Sequence, residues 1–536
     1  MSQKIYNFIF ASNRRTCLIL FLVPFLLFIK SVFFKFTYLD DQELILNNLI
    51  FLRNPANIFN AFLTDVFYVT RTTSAYYRPF LTLSFMIDAL ISSANPFFYH
   101  FSNVVIHALV VIYLYIFLVK LKVSRKLAFL FSLLFAVHPI NSQAVFWIPG
   151  RNDTLLTLFA LLTFIQLINY LTSNDRKFFV YHLLFFALAL FTKESALLLI
   201  PLGLFYVVLI KKQKTQVFNF FFPWLILLFI WFILRKIALG TNTLIYTTNS
   251  FIESILTNFK AVFMFIAKII FPYNLSVFPT LDSFKLSHTL ISLSVIVLII
   301  MFSRRNNYLK ILFGLTWFLA TLLPSFIRPD STYQPDFLEH RAYLSLIGII
   351  IIFSSLSIFK NKLARRILVL IVMIFCLLTL KNAKYYADKR SYWEKAVIDS
   401  PNHSMVRKNL GAMYYLDNDY QAAEKEFVKS LEINDKELQV RNNLGLIYMK
   451  LGDYEKSQSY FEQEIKMNPG YADVYFNYGL LKSLIGQKEQ AEKLWLKVLS
   501  INPNIVNAYA NLAVYYQEIG DIELAKIYTL EYQKRN

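Results

Sequence analysis

Two adjacent carboxylates, Asp40 and Asp41, follow directly after a strongly apolar run from Leu18 to Phe34. A carboxylate pair at the mouth of a membrane helix can take a proton from a substrate hydroxyl group, or it can hold a divalent metal. The alternatives for an isolated Asp-Asp pair are a solvated loop turn and the N-terminal cap of a helix. The sequence therefore predicts that chemistry at the membrane surface depends on Asp40 or Asp41.

A second polar set lies within an apolar run that begins near Phe98. His100, Asn103 and His107 have the spacing i, i+3, i+7, so they share one face of a helix. Polar groups within membrane helices usually face the bundle interior or a cavity. The pattern is equally consistent with a polar stripe satisfied between helices and with a substrate-binding role.

Charged residues also gather where other apolar runs end. Arginine presents a planar fork of donors that matches phosphate geometry. Helix-end anchoring would explain each motif alone, but several of them on one membrane face predict a cationic rim that binds a phosphate leaving group opposite a base. The candidate substrate-binding residues of this rim are Arg78, His138, Arg151, Asp153, Lys193, Glu194, Glu339 and Arg341.

The elements that must position these residues are membrane helices. The chain is 57% hydrophobic, its mean hydropathy is +0.47, and apolar runs of about 20 residues recur up to residue 380. We predict an all-α membrane bundle of about eleven spans over residues 1–380, with the run Phe259 to Phe271 lying at the interface. The net charge of +20 reflects cations in short loops that set orientation, so no nucleic-acid partner is expected.

Orientation follows from the same cations. Arg14 and Arg15 precede the first apolar run, which places the N-terminus in the cytoplasm and Asp40 and Asp41 outside. An odd number of spans then places the C-terminal part on the outer side. We therefore expect a multi-pass protein of the plasma membrane.

Residues 381–536 are predicted to form a separate helical domain. The motif that begins at Asn409 recurs at Asn443, Asn477 and Asn511, a step of about 34 residues that is typical of tetratricopeptide repeats. Trp393 and Pro401 resemble the second helix of an earlier, partial repeat. Stacked repeats form an α-solenoid with a concave groove, which predicts binding of an acceptor protein or peptide.

Taken in order, these motifs resemble the transmembrane-and-tetratricopeptide-repeat O-mannosyltransferases and their prokaryotic relatives. The likeness covers nearly the whole chain. It is carried by Asp40-Asp41 with Asn47, Tyr77-Arg78-Pro79, His100-x-x-Asn103-x-x-x-His107, His138-Pro139, Gly150-Arg151-x-Asp153, Lys193-Glu194 and Glu339-x-Arg341-x-Tyr343-Leu344. It departs from the family at Gln143, where a glutamate is common, and at His340, which separates a glutamate and an arginine that are usually adjacent.

The resemblance implies a GT-C-type membrane glycosyltransferase that uses a polyprenyl-phosphate sugar as donor. The catalytic acidic residue of the first outer loop would be Asp40 or Asp41, and Arg341 would bind the lipid phosphate, with Arg151 and Lys193 as weaker candidates. We expect an inverting transfer to a hydroxyl group, such as a protein Ser or Thr. No cofactor is expected, and a divalent metal at Asp40 and Asp41 stays open.

Two other functions fit the sequence less well. A non-enzymatic scaffold that displays the repeats would need only one membrane span. A glycan ligase or polymerase can carry a repeat domain, but its first outer loop is not expected to begin with a carboxylate pair.

Overall fold

The computed structural model describes residues 9–68, 76–240, 248–304, 307–327 and 336–535. The chain divides into two compact units, Met1–Asp399 and Ser400–Asn536. Both are helical, and the β-type pairing found in the described residues is an isolated antiparallel bridge between Thr280 and Asp336. The predicted all-α class is confirmed.

The first unit is built from apolar helices joined by short turns. Its α-helices are Asn13–Phe28, Leu49–Leu52, Pro79–Ser92, Pro96–Lys120, Arg125–Ala136, Ser142–Phe146, Arg151–Ser173, Arg176–Thr192, Leu199–Phe205, Gln216–Leu239, Thr248–Asn258, Lys260–Ile270, Leu286–Phe302, Tyr308–Leu322, Ala342–Ser355, Lys362–Ala383 and Lys389–Asp399.

Six helical stretches of the described chain are long and apolar enough to cross a membrane. They are Asn13–Phe33, Pro96–Lys120, Ile148–Ser173, Gln216–Leu239, Tyr308–Phe326 and Lys362–Tyr386. A bent pair, Arg125–Ala136 with Pro139–Phe146, adds a seventh if it is one span. Three shorter apolar helices are Pro79–Ser92, Glu194–Ile210 and Leu286–Phe302.

The count of eleven spans is not confirmed, and helix length is the reason. The sequence predicts one of the spans over Ala342 to Phe359. The structure has a helix of 14 residues there, Ala342–Ser355, whose length of about 21 Å falls short of a hydrocarbon core of about 30 Å. Most of its side chains are buried in protein. The outer placement of the repeats, which depends on an odd number of spans, stays a prediction.

Local sequence explains where several of these helices begin and bend. The side chains of Ser12, Asn95 and Asn361 each accept a backbone N–H of the helix that follows, which satisfies donors that helix starts leave unpaired. Pro139 interrupts the bent pair at an angle of 49°, because proline cannot donate the hydrogen bond that would continue the helix.

The outer surface of the bundle is apolar. Helix Gln216–Leu239 exposes Phe218 (74%), Phe222 (65%) and Phe229 (65%). Patches of this kind on a soluble protein would drive aggregation, whereas the acyl chains of a bilayer accommodate them. The first unit is therefore a polytopic membrane bundle.

The second unit is an α-solenoid of four helix pairs. Its helices are Ser404–Leu416, Tyr420–Ile433, Val440–Leu451, Tyr454–Met467, Ala472–Leu484, Lys488–Ile501, Val506–Glu518 and Ile522–Arg535. The turns within the last three pairs place Gly452, Gly486 and Gly520 at φ of +82° or +83°, and Asn418 takes φ +62° in the first pair. These are the residue types that adopt left-handed backbone most readily.

The helix Lys389–Asp399 lies in the first unit. The sequence instead predicts that it belongs to residues 381–536, as part of an earlier repeat. Its two buried aromatic side chains, Tyr392 and Trp393, find their partners among membrane-unit residues. The compact units divide after Asp399, whereas the domain boundary predicted from the sequence follows residue 380.

Candidate active site

The turn that follows the first span, residues 37–41, is held by Asp41. We call it the aspartate turn. Asp41 Oδ2 accepts hydrogen bonds from the backbone N–H of Thr37 at 2.6 Å, from Thr37 Oγ1 at 2.7 Å and from the backbone N–H of Tyr38 at 3.2 Å. Tyr38 takes a left-handed φ of 59°, and Asp41 is 1% exposed. One of the two predicted catalytic carboxylates therefore stabilises the turn itself.

Asp40 is placed differently. Its carboxylate is partly exposed and accepts no hydrogen bond from any side chain or N–H in the described part of the chain. Burial, followed by the negative charges of Asp41 and Asp336, raises the pKa of Asp40 to about 7, although Arg78 lowers it. Burial also raises the pKa of Asp41 to about 6, against the hydrogen bonds from Thr37 and Tyr38. A carboxylate that titrates near neutral pH suits a general base.

Arg78 connects the start of helix Pro79–Ser92 to Glu194, which follows helix Arg176–Thr192. Its Nε lies 3.2 Å from Glu194 Oε2, and the backbone N–H of Tyr77 donates to Glu194 Oε1 at 2.8 Å. Arg78 also lies close enough to Asp40 to lower the pKa of that carboxyl. The structure thus brings three predicted site residues, Asp40, Arg78 and Glu194, into one neighbourhood.

A second ion pair adjoins the first. Lys193 Nζ lies 2.7 Å from Asp153 Oδ1 and donates to Asn152 Oδ1 at 3.2 Å. Burial lowers the pKa of Lys193, while Asp153 raises it. Asp153 Oδ2 lies 3.7 Å from His340 Nε2. Asp153 therefore lies between two elements that are far apart in sequence, the lysine of one and the imidazole of the other.

Gln143 connects these groups to the segment after residue 275. Its Oε1 accepts the backbone N–H of His340 at 3.1 Å, and its Nε2 donates to the carbonyl oxygen of Val277 at 2.9 Å. An amide can accept and donate at once, so Gln143 makes both bonds. A glutamate, which is common here in the family that the sequence resembles, could only accept when ionised.

Glu339 pairs with a lysine that sequence reasoning missed. Lys268 Nζ lies 2.8 Å from Glu339 Oε1, which also accepts the backbone N–H of Ser276 at 2.8 Å. Burial raises the pKa of Glu339, and Lys268 partly offsets the rise. Because an ionisable residue inside an apolar run is a functional candidate by default, the position of Lys268 within Phe259 to Phe271 was a usable signal.

Arg341 turns away from Glu339 and pairs with Asp336. Its Nη2 lies 2.7 Å from Asp336 Oδ1, and its Nη1 donates to the backbone carbonyl of Asp336 at 2.8 Å. Asp336 also raises the pKa of Asp40, so this ion pair borders the base candidate. The arginine side chain is 17% exposed, which leaves it accessible from the site.

Arg151 is buried and fully engaged by protein. Its Nε donates to Asn103 Oδ1 at 2.7 Å, its Nη1 lies 2.6 Å from Asp88 Oδ2, and its Nη2 donates to the carbonyl oxygen of Tyr99 at 2.6 Å. Its side chain is 0% exposed. The preceding Gly150 lies against the Ala144 backbone, where an added Cβ would be only 2.8 Å away. Arg151 therefore connects three helices rather than facing the site.

Asn103 and His107 have similar positions inside the bundle. The Asn103 amide donates to the carbonyl oxygens of Trp147 and Ile148 at 3.3 and 3.2 Å. His107 Nδ1 lies 2.6 Å from Tyr343 Oη. For Asn103 and His107, these contacts favour one of the two roles left open, that of polar groups satisfied between helices.

The other two histidines of the predicted site, His138 and His100, are also buried. His138 Nδ1 accepts the backbone N–H of Ile140 at 3.2 Å, and its Nε2 lies 2.9 Å from the carbonyl oxygen of Ile269. His100 is 1% exposed, and its ring centroid lies 6.1 Å from that of Phe34. Both histidines contact protein groups on elements that surround the site.

Tyr392 is a site residue that sequence reasoning missed. Burial, followed by the negative charges of Asp40 and Asp41, raises the pKa of Tyr392 well above its usual range. Its hydroxyl donates to the carbonyl oxygen of Val277 at 3.2 Å. The phenol therefore stays protonated and lies near the base candidate. Within the described residues, no cluster of three or more His, Cys, Asp or Glu side chains could hold a metal.

Comparison with known proteins gives matches to each unit. Residues 80–239 match the profile described as dolichyl-phosphate-mannose-protein mannosyltransferase. Residues 438–471 and 472–505 match one tetratricopeptide repeat profile, and residues 494–527 match another. Among solved structures, a crystal structure of MamA aligns with 27% of this chain and 84% of that chain, at 21% identity and a TM-score of 0.25.

Three relatives illustrate the sequence similarity. The protein O-mannosyl-transferase TMTC1 of Mus musculus is 42% identical over 96 residues, which cover 18% of this chain and 10% of that protein. TMTC3 of Homo sapiens is 32% identical over 141 residues, which cover 26% of this chain and 15% of that protein. F38B6.6 of Caenorhabditis elegans is 28% identical over 177 residues, which cover 31% of this chain and 24% of that protein.

The aligned segments thus span between 10% and 24% of the length of these curated relatives. They confirm the resemblance to the transmembrane-and-tetratricopeptide-repeat O-mannosyltransferases that the motifs indicated. The membrane unit contains a segment similar to dolichyl-phosphate-mannose-protein mannosyltransferases, and the second unit consists of tetratricopeptide repeats.

Proposed function

We propose that this protein is an inverting GT-C-type membrane glycosyltransferase. It moves a sugar from a polyprenyl-phosphate donor to an acceptor hydroxyl, such as a protein Ser or Thr, at the outer face of the plasma membrane. The observation that carries this proposal is Asp40, a partly exposed carboxylate with a pKa near 7 beside the Arg78–Glu194 and Arg341–Asp336 ion pairs. The partial match to mannosyltransferases supports the reaction class.

In this proposal each group has a role. Asp40 takes the proton of the acceptor hydroxyl, whose oxygen attacks the anomeric carbon as the bond to the lipid phosphate breaks. The phosphate leaves with the bonding electron pair. Arg341, which exchanges Asp336 for the phosphate, stabilises the charge that develops on it. The sugar configuration inverts because a single in-line displacement occurs.

Asp41 and Arg151 have positioning roles in this proposal. Asp41 shapes the aspartate turn through three hydrogen bonds and raises the pKa of Asp40 by its charge. Arg151 connects helices behind the site. The repeats recruit the acceptor, because stacked helix pairs present a concave surface that suits an extended peptide.

The test is transfer of labelled sugar from polyprenyl-phosphate donors to protein by the purified chain. We expect wild type to transfer label and Asp40→Asn to lose activity at least about 100-fold, the lower range of general-base effects. Asp282→Asn is the matched control, since Asp282 is an exposed carboxylate elsewhere in the same unit. Its transfer rate should equal that of wild type.

Other outcomes identify the alternative functions. If wild type transfers no label from any polyprenyl-phosphate sugar, the transferase proposal fails and a membrane-anchored scaffold explains the repeats. If label reaches a lipid-linked glycan instead of protein, the chain is a glycan ligase or polymerase. Full activity in Asp40→Asn would remove Asp40 from the mechanism.

A further inference from the structure

A pocket of about 550 Å³ lies beside Phe10 and the first turns of helices Arg125–Ala136 and Lys362–Ala383. Four cationic side chains line it, Lys126, Lys362, Arg365 and Arg366. On the apolar side Phe129 packs against Phe10, with ring centroids 5.6 Å apart. We call this the basic pocket. It combines a cationic wall with an apolar wall.

The basic pocket lies far from the aspartate turn. Helix Asn13–Phe28 begins just after Phe10 and leads toward Asp40. Helix Lys362–Ala383 begins at the pocket. In the segment after this helix, the carbonyl oxygen of Ala387 accepts a hydrogen bond from the backbone N–H of Lys35 at 2.9 Å, and Lys35 lies next to the aspartate turn. At a rise of 1.5 Å per residue these helices extend about 24 and 33 Å, so the basic pocket and the aspartate turn lie at opposite ends of the helices.

Helix dipoles add to the positive potential of the pocket. Lys126 lies in the first turn of helix Arg125–Ala136, and Lys362, Arg365 and Arg366 lie in the first turns of helix Lys362–Ala383. Neither helix has an acidic residue in its first turn. Helix N-termini carry partial positive charge and favour anions over cations. Four cations at two such ends are stabilised if an anion binds between them.

Three of the four cations have no acidic partner in the part of the chain that the structure describes. Over the described residues, the side chains of Lys362, Arg365 and Arg366 form no salt bridge with an acidic group. Cations that serve only to orient a membrane protein need to lie in the loops, and they do not need to line a cavity. Their convergence on a cavity beside aromatic rings requires a further explanation.

We propose that the basic pocket binds the phosphate head group of an anionic phospholipid, in the leaflet opposite the aspartate turn. The pocket is continuous with the lipid-facing surface, because Val369 lines it and is 40% exposed, and Leu363 and Ile367 on the same helix are 61% and 49% exposed. Basic pockets between membrane helices are suited to anionic head groups. The apolar wall favours a lipid over a free anion.

The experiment measures lipid binding to the full chain by native mass spectrometry in detergent. Wild type is titrated with phosphatidylglycerol, with zwitterionic phosphatidylcholine and with inorganic phosphate. We expect phosphatidylglycerol to bind more tightly than the other two. Arg365→Gln with Arg366→Gln should weaken phosphatidylglycerol binding at least about tenfold, since each cation near an anionic surface contributes about 1 kcal/mol.

The matched control is Lys212→Gln with Lys214→Gln, which removes the same charge from another short loop. It should bind phosphatidylglycerol within twofold of wild type, and Arg365→Lys with Arg366→Lys should retain most of the binding. Equal binding of the two phospholipids, or equal loss in the control, would overturn the proposal. Binding of inorganic phosphate as tight as that of phosphatidylglycerol would assign the pocket to a soluble anion instead. The outcome does not depend on the proposed transferase activity.

Discussion

The indole nitrogen of Trp393 donates a hydrogen bond to the backbone carbonyl oxygen of Thr37, 3.0 Å away. Thr37 opens the aspartate turn, and its N–H and hydroxyl group both bind Asp41. The helix Lys389–Asp399 therefore fixes the turn from the other end of the membrane unit. This helix also supplies Tyr392, which lies near the base candidate.

Trp393→Phe should lower the transfer rate while preserving the fold, because it keeps an aromatic ring but removes one hydrogen bond worth about 1 kcal/mol. A shift in the pH profile of transfer would show that the loss acts through the aspartate turn. Trp317→Phe is the control, since that buried indole donates to the carbonyl oxygen of Leu344 at the same distance, 3.0 Å. Equal loss of activity in both variants would indicate a general packing effect.

The two aspartates should respond differently to substitution. Asp41→Asn keeps an oxygen that can accept the Thr37 hydrogen bonds, so we expect it to retain most of the transfer that Asp40→Asn loses. Asp41→Ala leaves the donors of Thr37 and Tyr38 without their acceptor and should lower the free energy of unfolding by about 1–3 kcal/mol. Transfer assays and thermal denaturation check both statements. Full activity in Asp40→Asn with loss in Asp41→Asn would reverse the assignment.

Transfer should decrease below about pH 7, because protonation of Asp40 removes the base and its pKa is raised to about 7. Arg78 lowers this pKa, so Arg78→Gln should move the acidic limb to higher pH. Asp41 raises it, so Asp41→Asn should move the limb to lower pH. Measured pH–rate profiles of kcat/KM test the two shifts. Identical profiles in both variants would contradict the role of Asp40.

The raised pKa of Asp40 also determines how the free energy of unfolding changes with pH. The folded-state pKa of Asp40 lies above its usual value of 3.8, so the folded state binds this proton more tightly than the unfolded state does. Its contribution to stability is present below the unfolded pKa and is lost as pH rises through about 7. Asp40→Asn should therefore make stability less dependent on pH between about 4 and 7.

Two arginines of the predicted rim should differ in what their removal changes. Arg341→Gln should raise KM for the polyprenyl-phosphate donor by about 10- to 100-fold, the value of a charged hydrogen bond, with little change in melting temperature. Arg151→Gln leaves Asp88 buried without its partner, so it should destabilise the protein by about 3–5 kcal/mol. Donor titrations and denaturation curves separate the two. An unchanged KM in Arg341→Gln would remove it from donor binding.

Chelators should leave transfer unchanged. Within the described residues, no cluster of three or more His, Cys, Asp or Glu side chains could hold a metal, and Asp41 Oδ2 is already engaged by three hydrogen bonds, so a divalent ion between Asp40 and Asp41 would find few protein ligands. The measurement is transfer in EDTA, followed by addition of Mg²⁺ or Mn²⁺. A loss that either ion restores would favour the metal alternative.

Much of the fold was predictable because its signals are periodic. Apolar runs indicated the membrane bundle, and the 34-residue step indicated the repeats with their left-handed turns at Gly452, Gly486 and Gly520. Span number was not predictable from composition, since a 14-residue helix such as Ala342–Ser355 resembles part of a span in sequence. Length within a hydrophobic run depends on where tertiary contacts end the helix.

The sequence indicated which residues form the site, but it did not indicate which of them pair with each other. Arg78 and Glu194 are separated by 116 residues, so no local spacing connects them. Lys268 and Glu339 are likewise separated by 71 residues. Arg341 pairs with Asp336, five residues before it, rather than with the nearby Glu339. Trp393 was assigned to a repeat because its surrounding sequence resembles a repeat helix. Only its packing shows that it supports the aspartate turn.

The buried Arg151–Asp88 pair has a consequence for how the chain enters the membrane. Asp88 belongs to an apolar helix, Pro79–Ser92, and a lone carboxylate in lipid costs about 2.5–3.5 kcal/mol. The ribosome adds Arg151 several seconds later, at about 5–20 residues per second. We therefore expect helix Pro79–Ser92 to take its buried position only after Arg151 has been synthesised, which would give the assembly of the bundle a preferred order.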